Sequence, residues 1–503
     1  MFWAWWVLLA VAAFAAASAL ALWSFGRFAR QARGAQSFAL PLAGNSALDR
    51  LVLPLLAERP GQTGLSLVVD NLRAFSLRQE AVQKAGRSLD ALYYIWRDDL
   101  TGRLLLHELL SAADRGVRVR LLLDDVNTQG FDRIYLALNR HPMIEVRVFN
   151  PVLNRRNALR RGAEMLLALV RYNRRMHCKA WIADGRVAIV GGRNIGDTYF
   201  GARRTRRRSS RDYDLVVAGA LLPAVQKSFD AYWNCSMALP IAALWMGYEA
   251  DLGRARTRLR AVAAGQGARD YLARLPPPGG LTAGLHWTDK AELLVDPPEK
   301  AQGQERQAWI TQKLRPVFDG ATARLQMVTP YFVPGKEDVA FLQDLAQRGV
   351  SVEVVTNALA ATNHMVVHGA YRRYRKPLLE KGVRIHEFAP PDEQGRRGEM
   401  LHGKAFIVDG RAGFIGSFNY DLRSAFLNTE MGVLFEHPDL VAELEAEVAR
   451  LVRPEVAFAL SLEGRRLRWN LPDGSQMGHE PDAPYMRRSL SWFIGHLPIH
   501  RFL

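Results

Sequence analysis

The stretch His177-Cys178-Lys179, then Asp184, then Gly191-Gly192-Arg193-Asn194 decides the reading, because it occurs twice. The second copy is His402-Gly403-Lys404, then Asp409, then Gly416-Ser417-Phe418-Asn419. The internal spacings match: two residues from histidine to lysine, five from lysine to aspartate, seven from aspartate to the first glycine. The copies start 225 residues apart, as a tandem repeat of half-domains requires. Residues Cys178–Ala183 and Ala405–Val408 have strand character, and residues two apart on a strand share a face. His177 therefore projects with Lys179, and His402 with Lys404, while Cys178 points the other way into the core. The small residues Gly191, Gly192, Gly416 and Ser417 belong to the motif, and its glycines let the backbone approach a ligand closely. Asn194 and Asn419 then present amide donors to an anion.

Working outward, the repeat extends beyond the motif. The first unit reads as strand Leu92–Trp96, helix Thr101–Arg115 and strand Val117–Leu123. The second reads as strand Leu325–Thr329, helix Glu337–Arg348 and strand Val350–Thr356. Leu105, Leu109, Ala112 and Ala113 fall on one face of the first helix, and Val339, Leu342, Leu345 and Ala346 nearly do so on the second. Both helices stop at a glycine, Gly116 and Gly349, as a C-terminal cap would. Strands alternating with helices imply an α/β sandwich. The run Pro276-Pro277-Pro278-Gly279-Gly280 cannot continue a helix or central strand, so the boundary is placed within Gln266–Gly280.

The 503 residues are 49% hydrophobic and 23% charged, which suits a globular chain of two or more domains. Two cysteines, Cys178 and Cys235, exclude a disulfide framework and a cysteine-rich metal cluster. A net charge of +17 favours anionic partners, either nucleic acid or acidic lipid. The N-terminus bears on that choice. Phe2 to Trp23 is almost wholly apolar, with Ser18 the clear exception, and about 20 apolar residues suffice to cross a bilayer. Trp3, Trp5 and Trp6 at one end and Trp23 at the other suit the two interfaces. No lysine or arginine precedes the run, which argues for an uncleaved anchor; Ala17-Ser18-Ala19 has the small-residue look of a cleavage site and keeps the alternative open. Arg27, Arg30 and Arg33 follow at once and place the rest of the chain in the cytoplasm.

His-x-Lys-x4-Asp-x6-Gly-[Gly/Ser]-x-Asn is the signature of the phospholipase D superfamily, and the chain after the anchor resembles that family almost throughout. The resemblance implies two tandem phospholipase D-like α/β sandwich domains related by pseudo-twofold symmetry, whose two motifs meet in one active site, and the apolar run adds an N-terminal transmembrane helix. On that basis the map is an anchor at 1–25, a basic tether at 26–47, a first domain at 48–265, a linker at 266–280 and a second domain at 281–503. The residue types fit phosphodiester chemistry. Lys179, Lys404, Asn194 and Asn419 offset negative charge without a metal or other cofactor. One imidazole attacks phosphorus to give a phosphohistidine, and the other shuttles the proton of the alcohol. Family analogy makes His177 the nucleophile and His402 the acid/base; the sequence alone does not break that symmetry. In the family an acidic residue beyond the Gly-x-Asn holds each histidine. Glu430 fits, with Asp212 as its counterpart and Asp214 as the alternative. Asp184 and Asp409 are expected to brace the loop more than touch substrate. The ten other histidines, His107 and His437 among them, read as surface or core residues.

Within the superfamily, several strings look like bacterial cardiolipin synthases of the C type: Tyr93-Tyr94-Ile95-Trp96-Arg97-Asp98-Asp99, Gly191 to Asp197 with Tyr199-Phe200, and Leu497-Pro498-Ile499. That similarity implies transfer of a phosphatidyl group onto phosphatidylglycerol, with phosphatidylethanolamine as donor. Taken with the apolar run and the arginines after it, this places a single-pass enzyme in the bacterial inner membrane with its catalytic domains on the cytoplasmic side. The apolar run and its arginine tail are not features of that type, so anchoring is expected to differ. The clusters Arg203-Arg204-Thr205-Arg206-Arg207-Arg208 and Arg155, Arg156, Arg160, Arg161 suit an anionic membrane surface, or else solvated basic loops. The C-terminal segment from Trp492 to Ile499 either lies in the interface or caps the core. The alternatives are a hydrolase, releasing phosphatidic acid or cutting nucleic acid at the membrane, and a silent scaffold. The filled motif positions disfavour the scaffold and the anchor disfavours nucleic acid. The C-type resemblance also admits an accessory protein, which no motif here identifies.

Overall fold

The computed structural model describes residues 2–127, 132–202, 209–391 and 399–496. The arginine-rich run 203–208 and the terminal 497–499 lie outside these residues. Helix α1 covers Phe2–Gln31. In the first half the strands are β1 (Thr63–Val68), β2 (Ser88–Tyr93), β3 (Arg118–Asp124), β4 (Ile144–Phe149), β5 (Ala180–Ala183), β6 (Val187–Gly191), β7 (Ser209–Arg211), β8 (Asp214–Gly219), β9 (Ala238–Pro240) and β10 (His286–Thr288). In the second half they are β11 (Ala291–Val295), β12 (Arg324–Val328), β13 (Ser351–Asn357), β14 (Arg384–Phe388), β15 (Glu399–Leu401), β16 (Ala405–Val408), β17 (Ala412–Gly416), β18 (Met431–Glu436), β19 (Ala457–Glu463), β20 (Arg466–Asn470) and β21 (Gln476–Met477).

The strand orders reveal the duplication. One sheet runs β10-β1-β8-β6-β5-β2-β3-β4-β9 and the other β11-β18-β17-β16-β12-β13-β14-β19-β20-β21. An eight-strand core is therefore shared, from β1 to β9 in one and from β11 to β19 in the other. In each, three parallel strands follow crossover helices and are flanked by antiparallel strands. The crossover helix after β2 is α2 (Leu100–Asp114), which buries Leu105, Leu109, Ala112 and Ala113. Its counterpart Gly335–Gln347 buries Leu342 and Leu345, with Val339 and Ala346 half-buried. Gly116 and Gly349 sit at φ +89° and +90°, a left-handed conformation that costs a residue with a Cβ. The strand expected at Leu92–Trp96 lies earlier, at β2. Its apolar tail Tyr94–Trp96 leaves the sheet to reach the site, where Ile95 N donates to Asn194 Oδ1 at 3.1 Å.

The second half has a hydrophobic core of its own, around Leu314, Leu325, Leu342 and Phe406, but part of it joins the core of the first half. Ile415, Met431, Val433 and Phe435 of the second half pack with the apolar residues of the first sheet. A two-stranded parallel ribbon, β7 with β15, crosses the junction.

Two boundaries differ from the sequence expectation. Residues Gln266–Leu272 of the expected linker are helical and bury Ala268 and Tyr271, whose Oη donates to Phe200 O at 2.9 Å. The proline run breaks structure only from Pro276 onward, and the chain leaves the first sheet after β10. At the N-terminus α1 continues past residue 25 to Gln31, burying Phe25 and Ala29. The rest of the expected tether is strapped to the first half: Ser37 N donates to Asn234 Oδ1 at 3.1 Å and Ala39 N to Asp230 Oδ2 at 2.9 Å. Helix α1 is long and apolar enough to cross a membrane, and none of its most apolar stretch is buried against the chain.

Candidate active site

Each motif begins just before a strand that lies next to the parallel core, β5 or β16, and ends in the turn after the following strand. His177 and His402 are thereby brought to one junction. Each histidine segment is hydrogen-bonded to the segment of the opposite half that carries a carboxylate. His177 N donates to Thr429 O at 2.9 Å, next to Glu430. His402 N donates to Arg211 O at 2.8 Å, next to Asp212. The side chains follow. His177 Nδ1 meets Glu430 Oε2 at 2.8 Å, and His402 Nδ1 meets Asp212 Oδ2 at 2.5 Å. A carboxylate at Nδ1 holds the proton there and leaves the Nε2 lone pair free.

Asp214, the alternative partner, is engaged elsewhere. Its Oδ2 accepts from Arg78 Nη2 and Arg193 Nη1, both at 2.9 Å, in a fully buried ion pair. The two lysines sit under the histidines. Lys179 Nζ donates to His177 O and Lys404 Nζ to His402 O, and Lys404 Nζ lies 3.0 Å from His402 Nδ1. Asn194 Nδ2 donates to Tyr199 Oη at 3.2 Å, and Asn419 Nδ2 to Ser424 Oγ at 3.4 Å. Each amide carries a second hydrogen for an anion.

Asp184 and Asp409 lie at the far end of β5 and β16 from the histidines. Asp184 accepts from the backbone N–H groups of Gly86, Arg87 and Ser88. Asp409 accepts from those of Thr322, Ala323 and Arg324. Both stand in the left-handed region, at φ +53° and +54°. Burial raises the Asp409 carboxyl, but the three amides outweigh it and hold it at about 2.

The small residues are required by close packing. A Cβ on Gly191 would meet Asp214 Oδ1 at 2.3 Å, and one on Gly192 would meet Asp212 Oδ1 at 2.4 Å. A Cβ on Gly416 would meet Met431 O at 2.4 Å. Ser417 replaces Gly192 in the second half; its Oγ donates to Glu430 Oε2 and accepts from Met431 N at 3.0 Å. Cys178 is fully buried, and burial pushes its thiol up to about 12, so it is inert core.

The site is buried and sets two lysines beside two carboxylates, and its acidities follow. Burial, then Lys179 and Lys404, hold His177 well below the ordinary imidazole value. Burial and Lys404 lower His402 to about 4, opposed by Asp212. Burial lowers Lys179 to about 7 and Lys404 to about 8. Burial raises Asp212, but His402 and Lys404 outweigh it and keep the carboxyl well below its usual range. Burial raises Glu430 above its usual value, with Lys179 opposing.

Sequence reasoning missed several supporting groups. Tyr94 meets the His177 ring edge-on at 4.9 Å and Tyr199 meets the His402 ring at 5.3 Å. Both lie in the quoted strings, and their aromatic character beside a motif was the available signal. Asp296 accepts from Glu430 N at 2.8 Å and is paired with the fully buried Lys300. Only the fold brings that pair under the site. Away from the paired histidines, His286, His437 and Asp439 bring possible metal-ligating atoms within 4.8 Å of one another.

The family model for "Cardiolipin synthase, PLD-like domain" matches residues 79–233 and 314–452. The chain is 40% identical over 413 residues to cardiolipin synthase C of Escherichia coli K12, covering 78% of this chain and 85% of that one. It is 28% identical over 439 residues to a cardiolipin synthase of Geobacillus thermodenitrificans, covering 84% and 76%. The crystal structure of phosphatidylserine synthase from Haemophilus influenzae Rd KW20 has the same fold, with a TM-score of 0.55, 16% identity, and coverage of 80% and 89%. The crossed pair of histidines thus stands on a scaffold matched in sequence and fold, and the chain belongs to the phospholipase D-like cardiolipin synthase family.

Proposed function

We propose that the chain is a phosphatidyltransferase that makes cardiolipin, using phosphatidylglycerol as acceptor and phosphatidylethanolamine as donor. The observation that carries this reading is the crossed site: two buried histidines, each pinned at Nδ1 by a carboxylate from the opposite half, with two lysines beneath them. In the first step His177 Nε2 attacks phosphorus. The departing alcohol takes a proton from His402 Nε2, and a phosphohistidine forms. In the second step the terminal hydroxyl of phosphatidylglycerol gives its proton to His402 and attacks phosphorus, which releases His177. The order of the roles is taken from the family resemblance; both imidazoles are depressed by burial and the lysines, and Asp212 opposes that depression at His402, which suits the residue that must carry the proton. An anionic phosphodiester arriving between them favours the protonated imidazole and raises the His402 pKa from its depressed value, so the substrate recruits the proton that its leaving group needs. Lys179, Lys404 and the free amide hydrogens of Asn194 and Asn419 offset the charge on the phosphoryl oxygens. Asp184 and Asp409 act at a distance by fixing the strand ends. Arg27, Arg30 and Arg33, which follow the apolar run of α1, support a cytoplasmic site at the inner membrane.

The test is a product assay on purified full chain with labelled phosphatidylglycerol, with and without phosphatidylethanolamine. Cardiolipin whose yield rises with phosphatidylethanolamine, and which disappears in His177→Ala, is the expected result. Phosphatidic acid alone would replace transfer by hydrolysis, and no lipid turnover would overturn the reading.

A further inference from the structure

Helix α3 covers Ala158–Leu167 and is continued by α4, Leu169–Tyr172. This pair is amphipathic the wrong way round for a globular protein. Leu159, Leu166, Leu169 and Val170 are 86%, 59%, 58% and 73% exposed, and Gly162 and Ala163 between them are exposed too. They recur at the spacing of one helix face, so a continuous apolar stripe points outward. Glu164 faces the protein instead, accepting from Leu153 N at 2.8 Å and Asn154 N at 2.9 Å. Arg156 and Arg160 are exposed at the edge of the stripe. Arg155, expected among the headgroup-facing arginines, is buried between Asp125 and Asp132.

Helix α1 says what covers the stripe. The guanidinium of Arg171 lies 3.7 Å from the ring centroid of Phe25, and Phe25 and Ala29 are buried there. Phe25 follows Trp23, the last residue of the apolar run, by two positions, or about 3 Å along the helix axis. The stripe therefore sits at the level where α1 leaves its apolar segment. Apolar residues flanked by arginines at that depth match a helix lying in a lipid interface.

We propose that α3 and α4 lie in the plane of an anionic bilayer with this stripe among the lipid headgroups and upper acyl chains. The inference rests on the reading of α1 as a membrane span. It has a consequence for the site. Asn150 Nδ2 holds Arg171 O at 2.9 Å and Arg174 O at 2.7 Å, and three residues later comes His177. The interface helix is thus tied to the segment that carries His177.

The experiment uses the full chain in bilayers of phosphatidylglycerol and phosphatidylethanolamine. Leu8→Cys, Arg160→Cys, Leu166→Cys and Val170→Cys are each labelled with an environment-sensitive fluorophore, and the unsubstituted chain serves as blank for Cys178 and Cys235. Spin-labelled lipids then quench from a position near the headgroups or near the chain ends. The proposal expects loss of roughly half the emission at Leu166→Cys and Val170→Cys with the shallow quencher, and much less at Arg160→Cys. Leu8→Cys, on α1, should respond to the deep quencher. A response at Leu8→Cys without one at Leu166→Cys or Val170→Cys overturns the proposal and leaves the span intact. A response at positions 166 and 170 without one at Leu8→Cys keeps the interface helix and removes the span. Silence at all of them removes both.

Discussion

The two halves place the same backbone around different interiors. Both close the far end of the motif strand with an aspartate that gathers three backbone amides, and both deliver a carboxylate across the junction. Behind the glycine turn they part. The first half buries Arg78 and Arg193 on Asp214. The second has Phe418 and Gly432 at the matching positions of the repeat, within a cluster of Phe406, Phe414 and Tyr420. The carboxylates differ too: Asp212 fills the space left by Gly192, whereas the longer Glu430 is held by Ser417. The frame is therefore fixed by hydrogen bonding that either core supports, while burial and the lysines depress both histidines and Asp212, from the opposite half, offsets part of that at His402.

The largest expected effects bear on the division of labour between the halves. His177→Ala and His402→Ala should each lower turnover by about 10⁴-fold or more. They should differ in one respect: His402→Ala, given a substrate with an activated leaving group, still forms a covalent phosphatidyl-enzyme detectable by mass spectrometry, and His177→Ala does not. The reverse pattern would exchange the two roles.

Asp214→Ala strands two buried arginines and should destabilise the chain by about 3–5 kcal/mol. Phe418→Leu, a near volume-conserving change in the aromatic cluster, should cost about 1 kcal/mol. Guanidinium unfolding of the detergent-solubilised chain compares them, and equal costs would mean that the ionic core is not the more fragile one.

Exchanging the turn residues sharpens the contrast. Gly192→Ser puts a Cβ against Asp212 Oδ1 and should cost about 10²-fold in kcat by displacing the carboxylate from His402. Ser417→Gly removes one hydrogen bond from Glu430 and should cost about tenfold. Comparable losses would show that the turns are interchangeable.

The smallest effect concerns pH. Lys179 at about 7 and Lys404 at about 8 are charged below those values and neutral above them. Their attraction for phosphate is then lost as pH rises, so kcat/KM, which reports the free enzyme, should fall severalfold from about pH 7 to 9. Lys179→Arg stays protonated and should flatten the first part of that decline. An unchanged profile would assign it to another group.

The sequence by itself determined the duplicated motif, the glycine ends of the crossover helices at Gly116 and Gly349, and the apolar helix α1. These are local facts, set by spacing and periodicity along a few turns or one strand. It also supplied the candidate carboxylates, but not their assignment. His177 and Glu430 are 253 residues apart, and His402 and Asp212 are 190 apart. Only tertiary packing decided that the pairs cross between the halves, that Asp214 belongs to Arg78 and Arg193 within the first half, and that part of the expected linker is a docked helix. The outward apolar face of α3 was likewise invisible, because periodicity locates a stripe on a helix but not the side on which the protein lies.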